Sequence, residues 1–145
     1  MTSPQLTPAE GALVAAARAA RVHAFAPFSR FAVGAALRLA DGRTVSGCNV
    51  ENATYGLTVC AERVALLKAV SEGARPGDFA ALAVVATAAT PTPPCGACRQ
   101  LLWEFCGDVP VLCVTDADVV ARYQLAHLLP APFDLSFLPS TSSDA

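Results

Sequence analysis

Charge is scarce in this sequence. Asp, Glu, Lys and Arg make up 15% of the 145 residues, and the ten Lys plus Arg are dispersed rather than clustered. With a net charge of −2 and no basic stripe, a track along a nucleic-acid backbone is excluded, because phosphates are held by concentrated positive charge. A small uncharged ligand suits this balance better. Neither a glycine-rich cradle nor an arginine cluster is present to hold a phosphate group. Long apolar runs are missing too. Nothing approaches the roughly 18 uninterrupted apolar residues of a membrane span, since the alanine-rich stretch over residues 11–25 is broken by Arg18, Arg21 and His23. No export signal is read either, so the chain is expected in the cytoplasm. The two histidines, His23 and His127, are read as surface or helix-end residues outside any metal shell.

What is plentiful is apolar side chain, at 54% of residues, enough to bury a core without covalent staples. We expect one domain over residues 1–136 and a flexible, Ser-rich tail over 137–145. Six cysteines are an even number, yet a disulfide framework fits poorly in a chain of this size without an export signal. Cys48, Cys106 and Cys113 lie in apolar or strand-like surroundings and are read as buried thiols that act as small hydrophobes. The other three are different.

Cys95 and Cys98 stand three apart in Pro94-Cys95-Gly96-Ala97-Cys98-Arg99-Gln100, so one helical turn puts both sulfurs on one face. Cys60, in Thr58-Val59-Cys60-Ala61-Glu62-Arg63, supplies a third thiolate from far along the chain. Three protein ligands on zinc leave a fourth position open, which marks a catalytic site, and a water bound there has a pKa of about 7. Glu62 is the expected proton carrier. A site closed by a fourth cysteine such as Cys48 or Cys106 would instead be a structural, non-enzymatic zinc module and would leave Glu62 without a task. Arg63 is expected beside the sulfurs, where a guanidinium offsets the net negative charge of three thiolates on one Zn²⁺.

Local signals place these residues. Thr7-Pro8-Ala9-Glu10 is a capping box that opens a helix to about residue 22. Residues 31–39 and 44–50 read as two strands of a hairpin turned at Asp41-Gly42. Thr58 is expected to cap a helix ending at Gly73, with Leu66, Leu67 and Val70 on its apolar face. On a regular helix residues two apart point about 200° from each other, so Cys60 and Glu62 can serve one site only from the helix end. That end favours thiolates through its dipole. A buried strand over 79–87, a Pro/Thr loop over 88–94 and a helix opening at Cys95 follow. Strands over 109–115 and 119–123 and a helical piece over 124–129 complete the reading.

These residues carry a resemblance. A-F-A-P-F-S-R-F-A-V-G-A-A-L at 24–37, G-C-N-V-E-N-A-T-Y-G-L-T-V-C-A-E-R at 47–63, P-C-G-A-C-R-Q at 94–100 and L-L-P-A-P-F at 128–133 resemble the small, homotetrameric, three-cysteine cytidine deaminases. The resemblance implies an α/β fold, a three-layer α-β-α sandwich around a five-stranded mixed sheet. It implies zinc on Cys60, Cys95 and Cys98, with Glu62 as proton shuttle in the hydrolytic deamination of cytidine and 2′-deoxycytidine. Asn49 and Glu51 are implied at the ribose hydroxyls, Phe31 against the pyrimidine, and the backbone beside Ala61 at the base. Active sites at subunit contacts are implied as well, with Tyr55 and Phe133 serving a neighbouring subunit's pocket. The sequence departs from the family pattern at Phe25 and Phe28, where tyrosines are usual, and at Pro93, where Ser is often seen.

Overall fold

Helix α1 (Pro8–Arg21) starts where the capping box puts it: Thr7 Oγ1 accepts from Glu10 N at 3.2 Å, and Glu10 Oε2 accepts from Thr7 N at 2.9 Å. In this computed structural model, which describes residues 5–140, the remaining elements follow in chain order. They are β1 (Val33–Leu39), β2 (Thr44–Cys48), α2 (Ala61–Ser71), β3 (Phe79–Ala86), α3 (Gly96–Cys106), β4 (Pro110–Thr115), β5 (Val120–Gln124) and the single turn α4 (Leu125–Leu128). The strands form a five-stranded mixed sheet in the order β2-β1-β3-β4-β5, with β3 and β4 parallel and the other pairs antiparallel. The expected α-β-α sandwich is observed.

Period-two alternation along the central strands divides the core between the two faces. Ala35, Leu37, Leu82, Val84, Val111 and Cys113 face the layer that holds α2 and α3, through Ala65, Leu66 and Leu102. Ala36, Ala83, Val85, Leu112 and Val114 face the other way, onto Leu13, Val14 and Ala17 of α1. Buried on both faces, β1, β3 and β4 read as nearly continuous apolar runs.

Two glycines set the helix-to-sheet distances. A Cβ on Gly34 would collide with the Ala17 carbonyl oxygen and lie 2.7 Å from Arg21 N, while one on Gly47 would lie 2.6 Å from Ala65 N. The absent side chains let α1 and α2 settle on opposite faces of the hairpin.

Several expectations need correction. The second strand stops at Cys48, and Val50 instead makes isolated bridges to Phe25 and Val59. Thr58 does not cap α2. It ends a 3-10 turn (Tyr55–Leu57), its N–H donating to Tyr55 O at 3.1 Å and its hydroxyl accepting from Asn52 N at 3.2 Å, so Cys60 becomes the N-cap. Leu67 is 50% exposed, and the small residues Ala65 and Ala69 take its expected place beside Leu66. Cys113 is buried as expected, but Cys48 and Cys106 are only half-buried. Of the expected tail, Phe137 belongs to a 3-10 turn (Leu135–Phe137) and residues 141–145 lie outside the described residues.

The glycine contacts give a paired test. Gly34→Ala forces α1 off the sheet and is expected to destabilise the fold by about 1–3 kcal/mol, as overpacked cores do. Gly11→Ala, at a helical position with nothing within 4 Å, is expected to stabilise by up to about 1 kcal/mol. Urea unfolding of both variants checks the signs; equal effects would mean that α1 does not press on Gly34.

Candidate metal centre and active site

β2 and β3 both run antiparallel to β1, and are therefore parallel to each other. The chain can join parallel strands only by a crossover, so α2 runs back from β2 to β3 and α3 from β3 to β4. Both helices consequently begin beyond the carboxyl ends of the strands, where open α/β sheets bind ligands. Cys60 is the N-cap of α2 and Cys95 the N-cap of α3, each with extended backbone and no side-chain bond to the backbone N–H groups of its own helix. Freed from capping, the two sulfurs face each other at 3.9 Å. Cys98, one turn into α3 and fully buried, completes a group whose sulfurs all lie within 4.8 Å of one another.

That spacing can be tested against an ion. Zinc–sulfur bonds of about 2.3 Å in a tetrahedron put the sulfurs about 3.8 Å apart. The group therefore fits one zinc with little adjustment.

Electrostatics around the sulfurs are uneven. Cys60 is pulled down to about 5, first by the Cys98 thiol beside it and then by Arg63, against the opposing effect of burial. Cys98 is pushed strongly upward by its hydrogen bond to Cys60, by burial and by the charge of Glu62. Arg63 donates through Nη2 to Thr58 O at 3.2 Å and to Cys60 Sγ at 3.7 Å, and its Nε is buried without a partner among the described residues. Contact with Cys60 raises its pKa further, so it stays cationic.

Glu62 occupies the second position of α2 and is 4% exposed. Burial raises its carboxyl above the ordinary range, and the charge on Cys60 adds to the rise. The angular conflict between Cys60 and Glu62 disappears because Cys60 is not within the helix. The N-cap backbone turns the sulfur across the helix end while Glu62 reaches the same cavity from the first turn.

Phe31, Asn49, Ala61 and Glu62 share with Cys60 and Cys95 a cavity of about 160 Å³, closed along one edge by Thr92 and Pro93. Asn49 does two things at once. Its Nδ2 donates to Phe31 O at 2.7 Å and its Oδ1 accepts from Val33 N at 2.9 Å, which pins the start of β1. One amide hydrogen and one oxygen lone pair remain for a ligand.

Glu51 and Tyr55 line a neighbouring cavity of about 400 Å³ with Phe28 and Ser29, joined to the first by Thr58. Glu51 Oε1 accepts from Phe28 N at 2.9 Å and Ser29 N at 3.1 Å, and Ser29 chiefly holds its carboxyl below the usual range. Phe28, which lacks the tyrosine hydroxyl, stacks edge-on against Tyr55 with centroids 5.8 Å apart. Phe133 lies outside both cavities; it stacks on Phe137 at 5.8 Å, and its carbonyl accepts from Gln100 at 2.7 Å. Within one chain, then, the cysteines, Glu62, Phe31, Asn49 and Ala61 converge, Glu51 and Tyr55 stand next door, and Phe133 stays apart.

Residues 8–114 match the family model described as "Cytidine and deoxycytidylate deaminase zinc-binding region". A cytidine deaminase from Sporosarcina psychrophila is 48% identical over 129 residues, covering 86% of this chain and 93% of that protein. The chain belongs to the cytidine deaminase family. The crystal structure of the cytidine deaminase from Burkholderia pseudomallei superposes with a TM-score of 0.84 at 48% identity, over 88% of this chain and all of that one. A blasticidin-S deaminase from Bacillus cereus is 30% identical over 70% of this chain and 76% of its own length. The family's cofactor is zinc, and the converging thiols suit that ion.

Sequence reasoning did not single out Arg99, Gln100 or Trp103 of α3. Each donates to the C-terminal segment: Arg99 to Leu128 O at 2.7 Å, Gln100 to Phe133 O, and Trp103 Nε1 to Asp134 Oδ2 at 3.1 Å. Their partners are mostly backbone oxygens, which leave no mark in a sequence.

X-ray absorption on the purified protein is expected to show one zinc per chain with three sulfur neighbours and one oxygen or nitrogen. A shell of four sulfurs would remove the open position and with it the catalytic reading.

Proposed function

We propose that this chain hydrolyses cytidine and 2′-deoxycytidine to uridine and 2′-deoxyuridine with release of ammonia, in the salvage of pyrimidine nucleosides. The observation that carries the proposal is a buried carboxyl, Glu62, in the same small cavity as Cys60 and Cys95, two of three sulfurs spaced for one zinc. Held by Cys60, Cys95 and Cys98, zinc would polarise a bound water and bring its pKa to about 7. Glu62 accepts a proton from the attacking water and delivers it to N3 of the pyrimidine as C4 is attacked. It then takes the remaining proton from the hydroxyl now on C4 and passes it to the departing amine, so that C4=O forms as the C4–N bond breaks, water is consumed and ammonia is released. A raised carboxyl pKa suits this exchange, because the group must both take up and give back a proton near neutrality.

Phe31 lies against the flat face of the base, and the free N–H groups at the start of α2, beside Ala61, meet its polar edge. Asn49 offers its spare amide hydrogen to the ribose. Glu51 takes up a ribose hydroxyl through the oxygen that Phe28 and Ser29 leave unused. Arg63, bonded to Cys60, offsets the negative charge of the thiolates.

A nucleoside needs more enclosure than one chain provides. The site spans both cavities, and the one that holds Glu51 is walled by Phe28, which is 50% exposed, and by Tyr55. Tyr55 is 74% and Phe133 59% exposed, apolar surface suited to another copy. This supports a homotetramer in which Tyr55 and Phe133 complete a neighbour's pocket. A cytoplasmic location is supported by cysteines that are all free thiols.

Glu62→Gln keeps the shape but cannot carry a proton. Its kcat for cytidine is expected to fall at least ~100-fold, as for loss of a general acid–base, with zinc content unchanged. Glu51→Gln is expected to raise KM instead, leaving kcat largely intact. Steady-state kinetics with metal analysis separates the two; near-normal turnover by Glu62→Gln would refute its role.

Assembly has its own test. Sedimentation at micromolar concentration is expected to show four chains, and Phe133→Ala to lose cytidine affinity while keeping its metal. A stable, fully active monomer would contradict the shared pocket.

A further inference from the structure

The weak point of the metal site is the stretch that delivers Cys95. Residues 87–95 have no regular structure, and Pro91, Pro93 and Pro94 have no N–H with which to hold themselves in place. Among the described residues, one hydrogen bond ties residues 91–94 to another part of the fold: Arg99 Nε donates to Pro94 O at 2.6 Å. The same guanidinium donates through Nη1 to Leu128 O at 2.7 Å, at the end of α4. Pro94 itself is fully buried.

The Pro94 carbonyl belongs to the peptide plane that carries the nitrogen of Cys95. The pyrrolidine ring fixes φ at Pro94 but leaves ψ free, and ψ sets the direction from which the Cys95 sulfur reaches the other two. A charge-assisted bond to that oxygen removes the remaining freedom. Because the guanidinium is rigid and planar, holding Leu128 O with one nitrogen fixes where the other points. A lysine ammonium is a single point on a flexible stem and cannot span both oxygens in this way.

We propose that Arg99 is a positioning residue for the metal site, a clamp that locks the Pro94–Cys95 peptide against α4 and so holds the Cys95 sulfur in place for zinc. It touches neither substrate nor ion. The inference rests on the metal reading above and extends it from the residues that hold the ion to the one that aims them. Arg63 and Arg99 then have separate work: Arg63 acts on the charge of Cys60, Arg99 on the direction of Cys95.

Metal release tests this apart from activity. The zinc-loaded parent, R99K, R99A and Q100A are mixed with a chromophoric chelator and the appearance of free zinc is timed. Q100A serves as the control because it breaks a neighbouring bond from α3 to Phe133 O without touching the Cys95 loop. R99K and R99A are expected to release zinc ~10–100-fold faster than the parent, the range seen when groups that orient metal ligands are removed. Guanidinium ion added to R99A is expected to slow release again, and Q100A to release at the parental rate. R99K keeps the charge and most of the bulk, so melting of the metal-free proteins is expected to match between R99K and parent. A parental release rate in R99K would overturn the clamp, as would equal acceleration in Q100A, which would mark a general loosening of α3. A parent that carries no zinc would overturn the metal reading and the clamp together, whereas firm zinc in both parent and R99K would remove the clamp alone.

Discussion

The alignment of β2 with β3 is the constraint on which the site depends. Both strands pair antiparallel with β1, one on each side, so they point the same way although they never touch. Parallel strands require a helix to run back between them, and a second crossover joins β3 to its parallel neighbour β4. Two helices therefore start at the same end of the sheet, and their contact with each other brings the two starting points together. Cys60 and Cys95 are the residues at those two points. Had β3 paired with β4 in the antiparallel sense, α3 would not be needed and Cys95 would have no helix to begin.

Bringing three sulfurs and a carboxyl together creates a conflict that the chain alone does not resolve. Two thiolates 3.9 Å apart repel by about 4 kcal/mol at an effective dielectric near 20. A helix N-terminus returns only about 0.3–1 kcal/mol per charge, rising to about 2 in partly buried positions. Repulsion wins; beside this pair, the Cys98 thiol bonds to Cys60 and brings it down to about 5, while that bond and burial force Cys98 upward. A divalent cation reverses this balance, because each thiolate then has an opposite charge at bonding distance. The arrangement is stable as a trio of thiolates only with a metal. Glu62 stays outside the trio because its length places the carboxyl in the cavity while burial keeps it reluctant to ionise.

Short-range signals were legible in the sequence because each acts within a turn or two. The capping box of α1, the hairpin at Asp41-Gly42 and the ends of β3 and β4 all lie within a residue or two of expectation. The cysteine pattern was equally plain, since metal ligation demands specific residue types. What could not be read was decided by backbone. Thr58 has the chemistry of a helix cap, but the turn at Tyr55–Leu57 uses it first and moves the start of α2 to Ala61. Leu67 fits an apolar stripe, yet the close approach of α2 at Gly47 sets Ala65 against the sheet beside Leu66 and leaves Leu67 on the exposed side. Asn49 gave no hint that its amide would be shared between holding β1 and facing the cavity. The sheet order and the separation of Glu51 from the sulfurs depend on contacts between distant segments, which spacing does not encode.

The few charges of this chain are also unevenly placed. Arg18 pairs with Asp118, Arg21 with Asp116 and Arg122 with Glu10, all between α1 and the segment from the end of β4 through β5. Exposed pairs of this kind contribute only about 0–1 kcal/mol each, so they fix the position of α1 more than they hold the fold together. The surface beside the two cavities has little of this. Phe25 and Val50 are joined by a bridge there, Tyr55 and Leu57 stand on the turn before α2, and all four are more than 40% exposed. In an isolated chain so much apolar surface next to the cavities is a liability. Covered by a second copy, it would remove water from the place where a buried carboxyl and a thiolate-bound ion gain most from its absence, and one contact would both close the pocket and hold the assembly.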